Sequence, residues 1–382
     1  MAERPSHPTT YIEVDLDALA ANVRTLKAHI GPQVELIAVV KANAYGHGAS
    51  EVARTALAHG AARLAVARVE EGVALRQAGI RAPVLVMGYT RPDEIARALA
   101  HGLTLSLTER EVAEAVSREA TRQGRRAPVH VKVDTGMGRF GILPEEALPF
   151  VRWLHTLPGL EPEGIFSHFA AADSPDKTYT RQQFARFEGT LRALSDAGYT
   201  FPLRHMANSA ATIDLPETHL DAVRCGIALY GLWPDADVAP ALPLRPALAL
   251  KSFLARVRTL PAGESISYGR TYITPRPMPV GLVPVGYGDG YHRLISNRGA
   301  VLVNGQRAPI IGRVTMDQLV VDLSAAGPVS LHDEVVLIGA QGADCISAEE
   351  VARWSETINY EVTTALLPRI PRVYLNGGDP TR

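Results

Sequence analysis

The stretch Leu36-Ile37-Ala38-Val39-Val40-Lys41-Ala42-Asn43-Ala44-Tyr45-Gly46-His47-Gly48 sets the terms for the rest of the chain. Five consecutive apolar residues, rich in branched side chains and free of Gly and Pro, read as a strand buried on both faces. Such strands belong to parallel sheets covered by helices. The lysine that ends the run stands at the strand's mouth, where partial desolvation favours its neutral form. A neutral amine attacks carbonyls, so Lys41 is a candidate Schiff-base residue. A lysine snorkelling from a strand end is the commoner use of the same pattern. The surrounding chain has to decide between the two.

Working outward, a helix opened by Asp15 carries Leu19, Val23, Leu26 and Ile30 on one face. Further apolar runs follow at 64–67, 84–87, 103–107, 129–133, 164–167, 203–206 and 222–224, with amphipathic segments at 51–59, 92–100, 109–122 and 179–197 between them. Eight strands alternating with helices make an α/β fold, a (β/α)8 TIM-type barrel over residues 1–240. An open doubly wound sheet is the alternative, and no G-x-G-x-x-G follows the first run to support a dinucleotide-binding version of it. Beyond Gly231 the texture changes. A proline-studded connector at 235–246 leads to strand-like runs at 253–259, 280–285, 300–303, 318–323 and 335–338, with a hairpin signal at Asn304-Gly305 and one helix at 347–357. Residues 241–382 therefore read as a mostly β C-terminal domain.

At 382 residues the chain is too long for one ordinary core, which agrees with two domains. A formal net charge of -1 gives no electrostatic case for nucleic acid or an anionic membrane surface. Residues 1–10 are polar with no apolar signal region, and no apolar stretch is long enough to span a bilayer. Two cysteines, Cys225 and Cys345, make no disulfide framework, and a cytoplasmic location is expected. Only five of the 39 basic residues are lysines, so each lysine position is more informative than usual.

A barrel demands functional residues just past the C-terminal ends of its strands. Lys41 follows the first run. Arg139 lies in Asp134-Thr135-Gly136-Met137-Gly138-Arg139-Phe140-Gly141 after the fifth, and His168 follows the sixth. Asn208 and Ser209 follow the seventh, and Arg224 closes the eighth just before Gly226 and Ile227. Loops after strands seven and eight commonly cradle phosphate in such barrels. Ser209 at a helix start offers a hydroxyl and free N–H groups, and Gly226 and Ile227 offer more. A phosphate there and an amine at Lys41 together ask for a cofactor with both a phosphate and an aldehyde, which pyridoxal phosphate is. No metal is expected.

These motifs resemble, in order and along nearly the whole chain, those of bacterial alanine racemase. The matching stretches include 40–48, 132–141, 167–170, 207–210, 223–231, 267–269, 285–290, Met316-Asp317 and Asn359-Tyr360-Glu361. The resemblance implies a pyridoxal-phosphate barrel followed by a β-rich domain, in a homodimer whose active sites are shared between subunits. It implies that Lys41 binds the cofactor covalently and that Tyr45, Ser209, Gly226, Ile227 and Tyr360 hold its phosphate. His168 and Asn208 would also serve the cofactor site, and Arg224 would donate to the pyridine nitrogen. Arg139 and Met316 would bind the substrate carboxylate, with Lys132, as a carbamate, orienting Arg139. Tyr287 and Asp317 would support the pocket.

Racemisation needs two bases on opposite faces of Cα. The resemblance assigns them to Lys41 and to Tyr268 of the other subunit. A tyrosine of pKa about 10 costs roughly 4 kcal/mol to ionise at neutral pH, so a cation must assist, and His168 is the expected one. Departures from the family pattern are Thr315, where Cys can occur, and Gly288, where Ala or Ser can occur. The implied activity is L-alanine/D-alanine interconversion supplying peptidoglycan. A broader amino-acid racemase acting on serine, or a non-catalytic pyridoxal-phosphate barrel, are the other readings.

Overall fold

The computed structural model describes residues 8–235 and 242–376. The connector read at 235–246 therefore lies in part, at 236–241, outside the described residues, as do positions 1–7. The chain divides into two compact units, one of 18–44 and 49–245, the other built around 246–376 with the chain's beginning up to Asp17 and Tyr45–Gly48.

The first strand, β1 (Tyr11–Asp15), belongs to the second unit, and the helix Leu16–Ile30 follows it. The Asp15 carboxylate accepts from the Asp17 N–H at 2.9 Å and so does the capping expected at that helix start. Eight parallel strands then close a barrel: β2 (Glu35–Val39), β3 (Ala61–Val66), β4 (Val84–Val86), β5 (Thr104–Leu107), β6 (Ala127–Lys132), β7 (Leu160–Phe166), β8 (Leu203–His205) and β9 (Ala222–Cys225). β9 closes on β2 with Leu36 opposite Val223 and Ile37 opposite Arg224. Every residue of β4, β5 and β9 is buried, so Val84–Val86 reads as an unbroken apolar run, while Thr104 and Ser106 in β5 and Arg224 in β9 are polar residues buried with the rest. The helix Val69–Gln77 escapes the periodic reading because Glu70, Glu71 and Gly72 interrupt its apolar face. Helix Pro144–Leu154 escapes it because Pro149 sits inside.

The second unit is mostly β. Its strands are β10 (Leu248–Phe253), β11 (Arg256–Leu260), β12 (Ser265–Ile266), β13 (Tyr272–Ile273), β14 (Met278–Val283), β15 (Ala300–Val303), β16 (Gln306–Pro309), β17 (Leu319–Asp322), β18 (Glu334–Gln341), β19 (Asp344–Ile346) and β20 (Arg372–Leu375). The largest sheet runs β16-β15-β18-β10-β1-β20 with β19 added to β18, and a second runs β11-β14-β17. The run expected as one strand at 253–259 is two. Leu254, fully buried, marks the point where the chain leaves the large sheet for the small one. Asn304 and Gly305 make the expected hairpin turn, both with positive φ, between Val303 and its partner Gln306. The helix expected at 347–357 covers Ala348–Trp354, and a second, Asn359–Thr364, follows it. No helix among the described residues is long and apolar enough to cross a membrane.

Candidate active site

Past β2 the chain enters a left-handed turn at Ala42 (φ 51°, ψ 51°), Asn43 (53°, 45°) and Ala44 (55°, 53°). Left-handed residues other than glycine cost roughly 1–2 kcal/mol each, and Tyr45 (φ 53°) makes four in a row, which persist only where neighbours over-determine them. The Ala44 N–H donates to the Val40 carbonyl at 2.9 Å, and the Ala42 N–H to Glu71 Oε1 at 2.5 Å. Asn43 Oδ1 accepts from the Ala49 N–H at 2.9 Å. Glu71 is itself anchored by the N–H groups of Ala67 and Arg68. The turn presents Lys41 at the barrel mouth with its proton affinity lowered by burial first, then by Arg139 and Arg224.

The same mouth holds a cluster of cations. Lys132 is buried, its Nζ 4.7 Å from the Phe140 ring and 5.4 Å from the Phe166 ring. Burial, then Arg224 and Arg139, bring its pKa down to about 8. The Asp134 carboxylate is engaged by the loop that carries Arg139, accepting the N–H groups of Gly136, Met137 and Gly138 at Oδ1 and of Arg139 at Oδ2. Burial alone would raise its pKa, but those donors hold it low. Arg139 is thus placed by its backbone, with its side chain exposed.

Arg224 is the buried centre of the barrel's upper end. Its guanidinium donates to His205 Nδ1 (2.8 Å), the Ser167 carbonyl (2.8 Å), His168 Nδ1 (3.0 Å) and the Met206 carbonyl (3.1 Å). Phe166 lies 5.2 Å below it and stacks on His205 at 4.9 Å. Burial lowers its pKa to about 9, so it stays charged at neutral pH. His168 corrects an expectation. Burial, Arg224 and Arg139 push its pKa well below the usual histidine value, so it is a neutral acceptor and Arg224 is the cation. At the next loop Asn208 caps the helix Ser209–Asp214 through Ala211 N–H at 3.0 Å. Ser209 Oγ accepts from the N–H groups of Gly226 (3.0 Å) and Ala228 (3.3 Å), which leaves its own O–H as a donor beside Ile227.

The remaining candidates lie in the second unit. Tyr45 and Tyr360 have ring centroids 6.1 Å apart. Tyr268 is 72% exposed and is held between residues of positive φ, Ser267 (61°), Gly269 (72°) and Arg270 (49°). The Ser267 hydroxyl donates to the Arg313 carbonyl at 2.6 Å, and the Tyr287 and Gly288 N–H groups donate to the carbonyls of Thr315 (3.0 Å) and Met316 (2.8 Å). Tyr268, Tyr287 and Met316 therefore sit on loops that touch one another, all three exposed. Asp317 is tied through Arg369 to Asp289, at 2.8 and 2.6 Å, which steadies the Met316 loop.

Residues 14–234 match the family described as alanine racemase, N-terminal domain, and residues 247–374 match alanine racemase, C-terminal domain. The chain belongs to the alanine racemase family. An alanine racemase of Desulforamulus reducens is 48% identical to it over 96% of this chain and 98% of that one. A crystal structure of the Bacillus anthracis alanine racemase with bound L-Ala-P has a TM-score of 0.92 at 42% identity, covering 98% of this chain and 97% of that one. A histidine racemase of Leuconostoc mesenteroides subsp. sake has a TM-score of 0.88 at 28% identity, covering 98% and 100%. The fold is thus shared by racemases of different substrates. Sequence reasoning missed two residues that shape this site. Glu71 has no local signal. His205 was visible only as a polar residue at the end of an apolar run, a pattern that more often marks a satisfied core histidine.

Proposed function

We propose that this chain interconverts L-alanine and D-alanine, with pyridoxal phosphate held at the barrel mouth and a second copy of the chain completing each site. The observation that carries the reading is Lys41, an amine of lowered proton affinity presented by a strained turn among groups that bind anions. The donor set fits the cofactor. Lys41 Nζ would take its aldehyde carbon, Ser209 O–H and the Ile227 N–H would meet its phosphate, to which the family resemblance adds Tyr45 and Tyr360, and Arg224 would donate to its ring nitrogen. The Gly226 N–H, spent on Ser209 Oγ, would act by aiming that hydroxyl. His168 and Asn208 would hold the surrounding loop. When bound, pyridoxal phosphate supplies an electron-withdrawing ring that acidifies the Cα–H of the attached amino acid.

The chain's own residues supply the rest. A guanidinium has no acceptor and keeps its protons, so Arg224 leaves the ring nitrogen unprotonated and moderates that acidification. Arg139 would offer a planar fork to the substrate carboxylate, and the Met316 backbone would be a second donor to it. Lys41 Nζ takes or returns the proton on one face of Cα, and Tyr268 Oη of the partner chain does so on the other. Arg224 supplies the positive potential for that phenolate, with neutral His168 accepting one of its N–H groups. Lys132, as a carbamate, would steady Arg139, and Tyr287 and Asp317 would limit the pocket to a small side chain. The product would serve peptidoglycan synthesis.

A broader racemase is the second reading, favoured by the histidine racemase of the same fold. The test is a purified yellow protein assayed on a panel of L-amino acids in deuterated water. Alanine should racemise fastest, with deuterium appearing at Cα. Equal turnover of serine or histidine would favour the broader reading, and no deuterium at any Cα would leave only a cofactor carrier.

A further inference from the structure

A chain of polar side chains runs down the interior of the barrel from Arg224 toward the N-terminal ends of the strands. Arg224 Nη1 meets His205 Nδ1 at 2.8 Å, and His205 Nε2 meets His130 Nδ1 at 2.9 Å. His130 Nε2 meets Glu163 Oε2 at 3.4 Å, Glu163 Oε1 meets Arg63 Nη1 at 2.6 Å, and Arg63 Nε meets Glu35 Oε2 at 2.7 Å. Two features of the backbone serve this line. The pairing of β6 with β7 skips from Val129 opposite Pro162 to His130 opposite Gly164, so Glu163 is the extra residue of a bulge. Bulges re-aim side chains, and this one places Glu163 against a ring it would otherwise not face. A Cβ on Gly164 would lie 2.6–2.7 Å from three atoms of the His130 ring, so the imidazole occupies space only a glycine leaves.

Donor and acceptor inventory allows the protons one arrangement. An arginine only donates, so His205 Nδ1 is bare and its Nε2 carries the proton. That proton meets His130 Nδ1, which is therefore bare, and His130 Nε2–H points to a carboxylate that only accepts. Burial disfavours a second proton on either histidine, in keeping with the one proton each that the pairing geometry allows.

We propose that Glu163 and Arg63 are positioning residues for Arg224: they fix a single direction of donation, from Arg224 through His205 and His130 to Glu163, so that His205 always offers Arg224 a bare nitrogen. The proposal rests on the reading of Arg224 as the partner of the cofactor ring. Its consequence is specific to one atom. In Glu163→Gln, Arg63 still donates at Oε1, so the amide oxygen stays there and the NH2 faces His130. One pair of N–H groups must then face each other. Either His130 keeps its Nε2–H against the amide, or His130 Nε2 accepts, its proton moves to Nδ1, His205 is reversed in turn and the mispair falls at Arg224. The proposal requires the second, because it makes Glu163 and not Arg224 alone the group that sets the direction. Removing Arg63 as well frees the amide to turn over and present its oxygen to His130, restoring the original order.

The test uses protein labelled with 15N in histidine, first without cofactor and then loaded. Cofactor-free Glu163→Gln should show His205 changed from the Nε2–H to the Nδ1–H tautomer, and Glu163→Gln with Arg63→Met should show it changed back. Arg63→Met alone keeps the accepting carboxylate and should keep the original tautomers. In loaded enzyme Glu163→Gln should lower kcat about tenfold, the scale of one mispaired buried hydrogen bond, with KM little changed and the cofactor absorption band displaced, and the double variant should recover both. Unchanged tautomers in folded Glu163→Gln overturn the proposal, as does a double variant that keeps the reversed tautomer. If Glu163→Gln does not fold, a reversed tautomer in Arg63→Met overturns it and retained tautomers support it. Failure to bind pyridoxal phosphate would instead overturn the proposed function, leaving the tautomer result standing.

Discussion

A cation at Lys132 faces Arg224, Arg139 and Lys41 together, with Asp134 opposing them. That carboxylate already accepts four backbone N–H groups. With its pKa brought down to about 8, the amine is partly neutral at mildly basic pH, and a neutral amine adds to carbon dioxide to form a carbamate, releasing a proton. A positive charge in the cluster becomes a negative one. Protein in 13C-labelled bicarbonate should show a carbamate carbon signal that Lys132→Met lacks. The sign of the pH effect follows from linkage. Without carbon dioxide, the penalty of the buried cation is full below about pH 8, and stability rises from there toward the unfolded-state pKa near 10.5 as the unfolded chain retains more protons. The rise is at most about 3 kcal/mol, and urea titrations of cofactor-free protein at pH 7 and 9 should show it shrink in Lys132→Met. Lys41→Ala should abolish the visible absorption band of the bound cofactor and activity in both directions. Residues such as Lys41, Arg139, Ser209 and Arg224 were legible because each ends an apolar run or lies in the short polar loop after one. His130, Glu163 and His205 were not, because nothing in their spacing of 33 and 42 positions says that one bulge and one glycine bring them into line.

The left-handed turn at 42–45 shows where legibility ends for elements. Barrel strands such as β2 and β4 write themselves as apolar runs, because burial on both faces removes alternation. In Ala-Asn-Ala-Tyr after the first of them only Asn43 takes a left-handed backbone readily, which is too little to announce four such residues in a row. Glu71, 29 residues on, and the Asn43 side chain hold the turn in place. Likewise β1 was hidden because five residues before a helix acquire their strand partners only from β10 and β20, far along the chain. The turn's strain is measurable. Ala42 is exposed, so its methyl contributes little packing, and a glycine there escapes the left-handed penalty. Ala42→Gly should raise stability by about 0.5–1 kcal/mol, the left-handed penalty less the extra chain entropy of glycine. Urea denaturation of the cofactor-free protein reads this directly. A destabilised Ala42→Gly would mean that the turn is not strained. Turnover should fall in the same variant, because the turn that aims Lys41 becomes looser.

At the scale of the whole molecule, Tyr268 is the residue a single chain leaves unexplained. It is 72% exposed, yet two nearby non-glycine residues, Ser267 and Arg270, are kept at positive φ around it. Strain is retained where the surrounding structure is selected for something other than stability. An exposed, rigidly presented phenol on the β-rich unit fits a group that works on the barrel of a second copy. Tyr268→Phe removes one oxygen from a solvent-facing ring, so cofactor binding and thermal stability should hold while racemisation falls by several orders of magnitude. Mixing two inactive proteins separates a shared site from a private one. Lys41→Ala chains keep Tyr268, and Tyr268→Phe chains keep Lys41. If each site takes its lysine from one chain and its tyrosine from the other, half of the sites in a mixed dimer are intact. Random re-pairing of equal amounts makes about half of the dimers mixed, so about a quarter of wild-type activity should return. If lysine and tyrosine serve the same chain, every site in the mixed dimer still lacks one base. Activity of the refolded mixture would then stay at the level of the two single variants, and the assignment of Tyr268 to the partner would be lost.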